Sequence, residues 1–178
     1  MTSRRQVIFV AGAGAAIVAG AGVALWREST TGGAAAAAPD ELWAQRFAKP
    51  DGGELVMADF RGTPLVINFW ATWCPPCLRE LPEIDRFARE HSGHGVRVIG
   101  LALDAADPVK AFLKRVPLSL PVALAGLDGS DLVRALGNSQ GGLPFTVMFA
   151  AGGRLIERKL GETSYAELTD WLRRLPAK

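Results

Sequence analysis

Cys74 and Cys77 are the only cysteines in the chain, and Pro75 and Pro76 separate them. Two thiols supply neither the four ligands of a structural zinc site nor a disulfide framework. A bridge across two residues also closes too small a loop to stabilise a fold much. What remains is redox work: one thiolate attacks a disulfide, and a second thiol resolves the mixed disulfide. The alternative is a pair of buried structural cysteines, and Trp73 with two prolines at the junction of two elements argues against it. The two prolines have no N–H to donate. Fewer donors reach a Cys74 thiolate than in a motif with ordinary residues there. Its pKa then falls less, and the couple leans toward reductant.

Such a pair needs a strand before it and a helix after it. Leu65 to Trp70, LVINFW, is a short apolar run of strand formers, expected for a buried central strand. A helix is expected from Cys74 to Glu90, bent at Pro82 and ended near Gly93. Its N-terminus offers unpaired N–H groups and partial positive charge, which favour a thiolate at the first cysteine. Trp70 reads as core. Trp73 reads as a shield and docking surface beside Cys74.

Further strands are expected at Glu54–Met57, Val96–Leu103, Pro121–Leu124, Phe145–Ala150 and Arg154–Leu160, the last two joined by the hairpin Ala151-Gly152-Gly153. Helices are expected at Val109–Val116 (with Asp107-Pro108 as its start), Ser130–Leu136 and Ser164–Leu175, the last with Tyr165, Leu168, Trp171 (or Leu172) and Leu175 on one face. Asp40–Phe47 reads as a short amphipathic opening and Asp59–Gly62 as a turn. The order of strands and helices gives an α/β class.

Glu80 lies three residues after Cys77, on the same face of the expected helix. A carboxylate there is placed to take a proton from Cys77 when it resolves a mixed disulfide. Spacing alone leaves two other readings open: a first-turn Glu favoured by the helix dipole, or a surface Glu paired with an Arg. His91 and His94 sit in a glycine-containing helix exit with no third ligand near, which reads as solvated caps. No metal or cofactor is called for.

The formal net charge of +2 belongs to the N-terminus. Arg4, Arg5 and Arg27, with Glu28, precede Asp40, and the remaining 17 basic and 17 acidic residues balance. A nucleic-acid role has no electrostatic support. Five Trp and eight Phe favour a packed domain.

Residues 1–28 read as an export signal or membrane anchor, 29–39 as an Ala/Gly-rich linker, and 40–178 as the folded domain. Gln6 to Trp26 is uncharged over 21 residues, about 31 Å as a helix and enough to cross a hydrocarbon core. Arg4 and Arg5 ahead of it place the domain on the outer side of the membrane by the positive-inside rule. Ser3-Arg4-Arg5 also resembles the start of a twin-arginine signal, with Val7 and Ile8 departing from that consensus. Either reading predicts a periplasmic domain, or one on the outer face of the cytoplasmic membrane.

The segment FWATWCPPCLRELP resembles the active site of the TlpA and ResA branch of the thioredoxin superfamily, the membrane-tethered or exported thiol–disulfide proteins. The resemblance runs from about Asp59 to the C-terminus. It takes in the DFRG lead-in, Pro82 five residues after Cys77, and a Gly-x-Pro before the late hairpin. It implies a thioredoxin fold, a central mixed sheet flanked by helices. It implies that Pro144 is a cis-proline facing the site, and that Leu143 offers its backbone to a substrate strand beside Cys74. Trp73, Pro75 and Pro76 then border the docking surface. It favours the acid–base reading of Glu80, because related proteins carry an acid at the matching place. Ordinary thioredoxins bury theirs six residues before the first cysteine, where this chain has Asn68. The implied partners are disulfide-containing proteins and a transmembrane thiol reductant, and the branch includes proteins that keep apocytochrome c thiols reduced.

Two rivals are weighed. Thioredoxin-like peroxidases resemble Pro-x-x-x-Thr-x-x-Cys, and here Ile67 and Ala71 stand at the matching positions. Copper chaperones of related fold space their cysteines three apart and add a later His, and no His follows His94. A copper-site reductase stays open.

Overall fold

The computed structural model describes residues 38–126 and 129–176. The expected leader, residues 1–28, and positions 29–37 of the linker lie outside the described residues.

Seven strands form one mixed sheet in the order β2-β1-β5-β4-β3-β6-β7. They are β1 (Arg46–Ala48), β2 (Glu54–Val56), β3 (Leu65–Trp70), β4 (Arg97–Ala102), β5 (Val122–Leu124), β6 (Phe145–Phe149) and β7 (Leu155–Leu160). β3, β4 and β5 run parallel, and β6 returns antiparallel beside β3. The helices are α1 (Asp40–Ala44), α2 (Pro75–His91), α3 (Ala106–Arg115), α4 (Gly129–Ala135) and α5 (Tyr165–Arg173). This is the mixed sheet flanked by helices that the resemblance implies.

β3 is buried at every position, as its uninterrupted apolar run predicts. The period of two sends Leu65, Ile67 and Phe69 to one face, packed with Trp43, Met57, Phe145, Val147 and Phe149. Val66 and Trp70 go to the other face, among Leu81, Ile84 and Phe87 of α2 and Leu168 and Trp171 of α5. Asn68 belongs by parity to this second face, the one that α2 covers. At Gly100 on β4 an added Cβ would lie 3.1 Å from Trp70 Nε1 and 3.1 Å from Leu120 Cδ1. Glycine there leaves the Trp70 indole room against the neighbouring strand.

Two expectations change. The opening Asp40–Phe47 is not one element: α1 ends at Ala44, and Arg46–Ala48 is a strand paired with β2 and, at Ala48, with Leu124. Three residues carry too little periodicity to reveal a strand before its partners are known. The turn at Asp59 is the end of a 3-10 helix, Met57–Phe60, whose Met57 and Phe60 are buried. α3 begins at Ala106, so Asp107-Pro108 opens it as expected, with Pro108 in the first turn, where no intrahelical donor is lost. Pro82 sits inside α2, and the helix continues past it to His91.

α2 is tied to the loop before β5 by Asp85. Its Oδ1 accepts from the Ser119 N–H at 2.6 Å, the Ser119 hydroxyl at 2.7 Å and the Leu120 N–H at 3.2 Å. Arg89 donates to its other oxygen. Sequence reading passes over Asp85, because an acid in the middle of an amphipathic helix looks like a solvated position.

Candidate active site

β3 ends at Trp70, and four residues later Cys74 caps the N-terminus of α2. The loop between them is fixed by Asp104, whose Oδ2 accepts from the Thr72 N–H at 3.0 Å and the Thr72 hydroxyl at 2.5 Å. Pro75 and Pro76 take the first two helical positions, where an N–H has no intrahelical acceptor and fixed φ suits the helix. Cys77 is therefore the first residue of α2 with an N–H to give. It donates to Cys74 Sγ at 3.3 Å.

Cys74 and Cys77 are joined as a disulfide. Cys77 is fully buried, and Cys74 is only 4% exposed. Trp70, Ala71 and the body of α2 close around the pair, and Cys74 keeps only a narrow opening. Trp73 stands out at 64% exposed, while Trp70 has no exposure at all.

The Leu143–Pro144 peptide bond is cis. Leu143 is half-buried and packs against both sides of the core. The loop before it is anchored by Asn138, which donates Nδ2–H to the Gly142 carbonyl at 2.7 Å.

Glu80 is 3% exposed. Its Oε1 accepts from Asn68 Nδ2 at 2.6 Å, and its Oε2 accepts from the Thr163 N–H at 2.6 Å. Asn68 donates its other amide hydrogen to Thr146 Oγ1 at 3.0 Å. Glu80 stands beyond the first turn of α2, which holds no acid, and both its oxygens are taken by Asn68 and Thr163, so neither the helix-dipole reading nor the Arg-paired one describes it. The neighbouring Arg79 pairs instead with Glu162. Burial pushes the Glu80 carboxyl up to about 7. The donors from Thr163 and Asn68 pull the other way, and so does the nearby Lys159, while Glu162 adds to the rise. A carboxyl near neutrality takes and returns a proton at working pH. One helical turn separates it from Cys77.

Asn68, Thr146 and Thr163 are the polar residues of this site that sequence reading did not place. Asn68 enters it only as a position that cannot titrate. The available signal was an amide inside a fully apolar strand, a choice that costs free energy unless a buried partner meets it.

His91 stacks on Phe87, with Nδ1 3.0 Å from the Phe87 carbonyl, and lies away from the disulfide. Among the described residues no group of three or more His, Cys, Asp or Glu is placed to hold a metal. A cavity of about 540 Å³ lies between Lys49, Lys110, Leu113, Leu118 and Val122 and includes none of the residues around the disulfide. Among the described residues no helix is long and apolar enough to cross a membrane.

Residues 34–171 match the Redoxin family. The thiol-disulfide oxidoreductase ResA of Bacillus thuringiensis subsp. konkukian is 30% identical over 126 residues, 70% of this chain and 70% of that protein. A thioredoxin-related protein from Neisseria meningitidis serogroup B superposes with a TM-score of 0.64 at 31% identity, over 71% of this chain and 96% of that one. A thioredoxin-family thiol:disulfide interchange protein from Chlorobium tepidum superposes with a TM-score of 0.62 at 26% identity, over 72% and 90%.

Proposed function

This chain belongs to the Redoxin family and is a thiol–disulfide oxidoreductase of the thioredoxin fold; from that premise we propose that it reduces protein disulfides outside the cytoplasm. The observation that carries the proposal is the Cys74–Cys77 disulfide at the first turn of α2, with the buried Glu80 carboxyl one turn further on.

In the reduced enzyme the Cys74 thiolate, favoured by the helix N-terminus, attacks one sulfur of a substrate disulfide and expels the other as a thiolate. Cys77 then loses its proton to Glu80 and attacks Cys74 Sγ. The substrate leaves with two electrons gained, and the enzyme is left as the Cys74–Cys77 disulfide. Leu143 and Pro144 align the substrate backbone, and Trp73, Pro75 and Pro76 form the surface against which it docks.

The direction is reductive, because Pro75 and Pro76 withhold two N–H donors from the Cys74 thiolate. A less stabilised thiolate makes a less oxidising couple. The uncharged segment Gln6–Trp26 behind Arg4 and Arg5 supports export or anchoring, with the domain on the outer face. A transmembrane thiol relay then re-reduces the enzyme. The haem-attachment cysteines of apocytochromes c are the substrates first to be examined.

The test is to express Cys77→Ser in the native host and to identify what is captured on Cys74. Protein adducts that vanish when Cys74 is also replaced by Ser support the reading. Capture through another residue, or no adduct under conditions that trap wild-type intermediates, overturns it.

A further inference from the structure

Asn68 is an amide at the centre of the sheet, on a strand otherwise made of apolar side chains, and it has no solvent exposure. Both of its donor hydrogens are committed, one to Glu80 Oε1 at 2.6 Å and one to Thr146 Oγ1 at 3.0 Å. Its Oδ1 is buried without a partner. The amide therefore faces Glu80 purely as a donor, at the cost of an unserved oxygen on its other side.

We propose that Asn68 is a positioning residue: its amide, anchored on Thr146, holds the Glu80 carboxylate in the interior and keeps that form available to accept the proton of Cys77. The inference rests on the reductase reading for its last clause only.

Three features support it. First, the register pairs Asn68 with Thr146 across β3 and β6, so the acceptor that orients the amide comes from an adjacent strand rather than a mobile loop. Second, an ionised carboxyl accepts hydrogen bonds and donates none, whereas a protonated one must place an O–H. At Glu80 both oxygens face donors, Asn68 Nδ2 and the Thr163 N–H. The hydrogen bonding at Glu80 suits the ionised form, and it works against burial and the nearby Glu162, which oppose that form. Third, the charges near Glu80 are each paired elsewhere: Lys159 with Glu167, and Glu162 with Arg79. Cys77 and Asp85, on its own helix, are respectively in the disulfide and bound to Arg89 and Ser119. Against the burial that opposes ionisation, the two donors are the strongest opposing influences at Glu80, and Asn68 is the one supplied by a side chain.

The experiment titrates Glu80 directly in the oxidised protein by its protonated-carboxyl infrared band, assigned as the band missing in Glu80→Gln. Asn68→Leu keeps the volume and removes the donor. The Glu80 midpoint is expected to move to higher pH by about one to two pH units, the size of a lost hydrogen bond to a charged group. Thr146→Val, which frees the amide without removing it, is expected to give a smaller move in the same direction. An Asn68→Leu titration at the wild-type pH overturns the proposal; if that variant does not fold, an unmoved midpoint in Thr146→Val overturns it. Turnover with a protein disulfide, followed against pH in the same variants, separates the two claims. A shifted infrared midpoint without any disulfide reduction leaves the positioning role standing and removes the reductase reading. Normal reduction with an unshifted midpoint does the reverse.

Discussion

Glu80 on α2 accepts a hydrogen bond from the backbone N–H of Thr163, 83 residues later in the chain, at 2.6 Å. The contact pins the segment between β7 and α5 onto the turn of helix that follows Cys77. It also leaves a carboxyl buried where its ionisation matters to the stability of the whole domain.

The pH dependence of stability follows with a definite sign. The Glu80 pKa is raised from 4.5 to about 7 in the folded protein, chiefly by burial. Between those values the folded state binds more protons than the unfolded state, so stability falls as pH rises. The contribution of the neutral form is complete below about pH 4.5 and is lost as pH passes through about 7. It amounts to roughly 3 kcal/mol. Denaturant unfolding of the oxidised protein from pH 4.5 to 8 is expected to show this decline, and Glu80→Gln to flatten it. Parallel profiles for the two proteins contradict the assignment.

The two prolines make a second prediction. Pro76→Ala restores an N–H within the first turn of α2, close to the Cys74 sulfur. The Cys74 thiolate gains a donor, its pKa falls, and the couple becomes more oxidising by some tens of millivolts, about 30 mV for each 1.4 kcal/mol of thiolate stabilisation. Redox titration against glutathione reads the change. A potential that stays put, or moves in the reducing direction, removes the role given to the prolines.

Cys74 and Cys77 are expected to differ as nucleophiles once reduced. Cys74 is the cap of α2 and keeps a narrow opening, whereas Cys77 has none. Alkylation at neutral pH should modify Cys74 faster by about tenfold or more, because it is the more accessible thiol and sits at the helix N-terminus, which favours the thiolate. Mass mapping after a short pulse distinguishes the sites, and equal labelling reverses the mechanism's division of roles.

Trp73 is the exposed aromatic beside the disulfide. Trp73→Ala should raise KM for a protein disulfide several-fold and leave the reduction of a small aromatic disulfide nearly unchanged. Stability should stay within about 0.5 kcal/mol, as for other surface substitutions. Equal losses on both substrates would place Trp73 in the chemistry rather than in docking.

Asp85 gives a stability prediction away from the chemistry. Asp85→Ala strips the acceptor from the N–H groups of Ser119 and Leu120 and from the Ser119 hydroxyl. A loss of roughly 2–3 kcal/mol is expected, with the disulfide exchange rate at 25 °C unaltered. A loss under 0.5 kcal/mol in thermal or denaturant unfolding counts against the anchoring role of this carboxylate.

The chain by itself determined the elements with strong local signals. LVINFW is apolar at enough consecutive positions to be a buried strand. The Cys-Pro-Pro-Cys spacing, Pro at the first helical turn and the periodic Leu81, Ile84 and Phe87 together place a redox pair at a helix start. Ser164 and Glu167 form the capping box that opens α5, and that too is a pattern within four residues. These features are legible because the interactions that produce them connect near neighbours.

Tertiary structure alone decided the rest. β1 is a strand only because β2 and β5 lie beside it, and three residues hold no period long enough to read. Glu80 could be a surface acid or a buried one until α2 packed on the sheet over Asn68 and Thr163 arrived from the far end of the chain. Asp85 had the same ambiguity until Ser119 was delivered to it. A buried polar group is tolerated only when its partners are in place, and those partners are set by which faces of strands and helices meet. Sequence spacing fixes the face on which a residue stands. It does not fix what lies across from it.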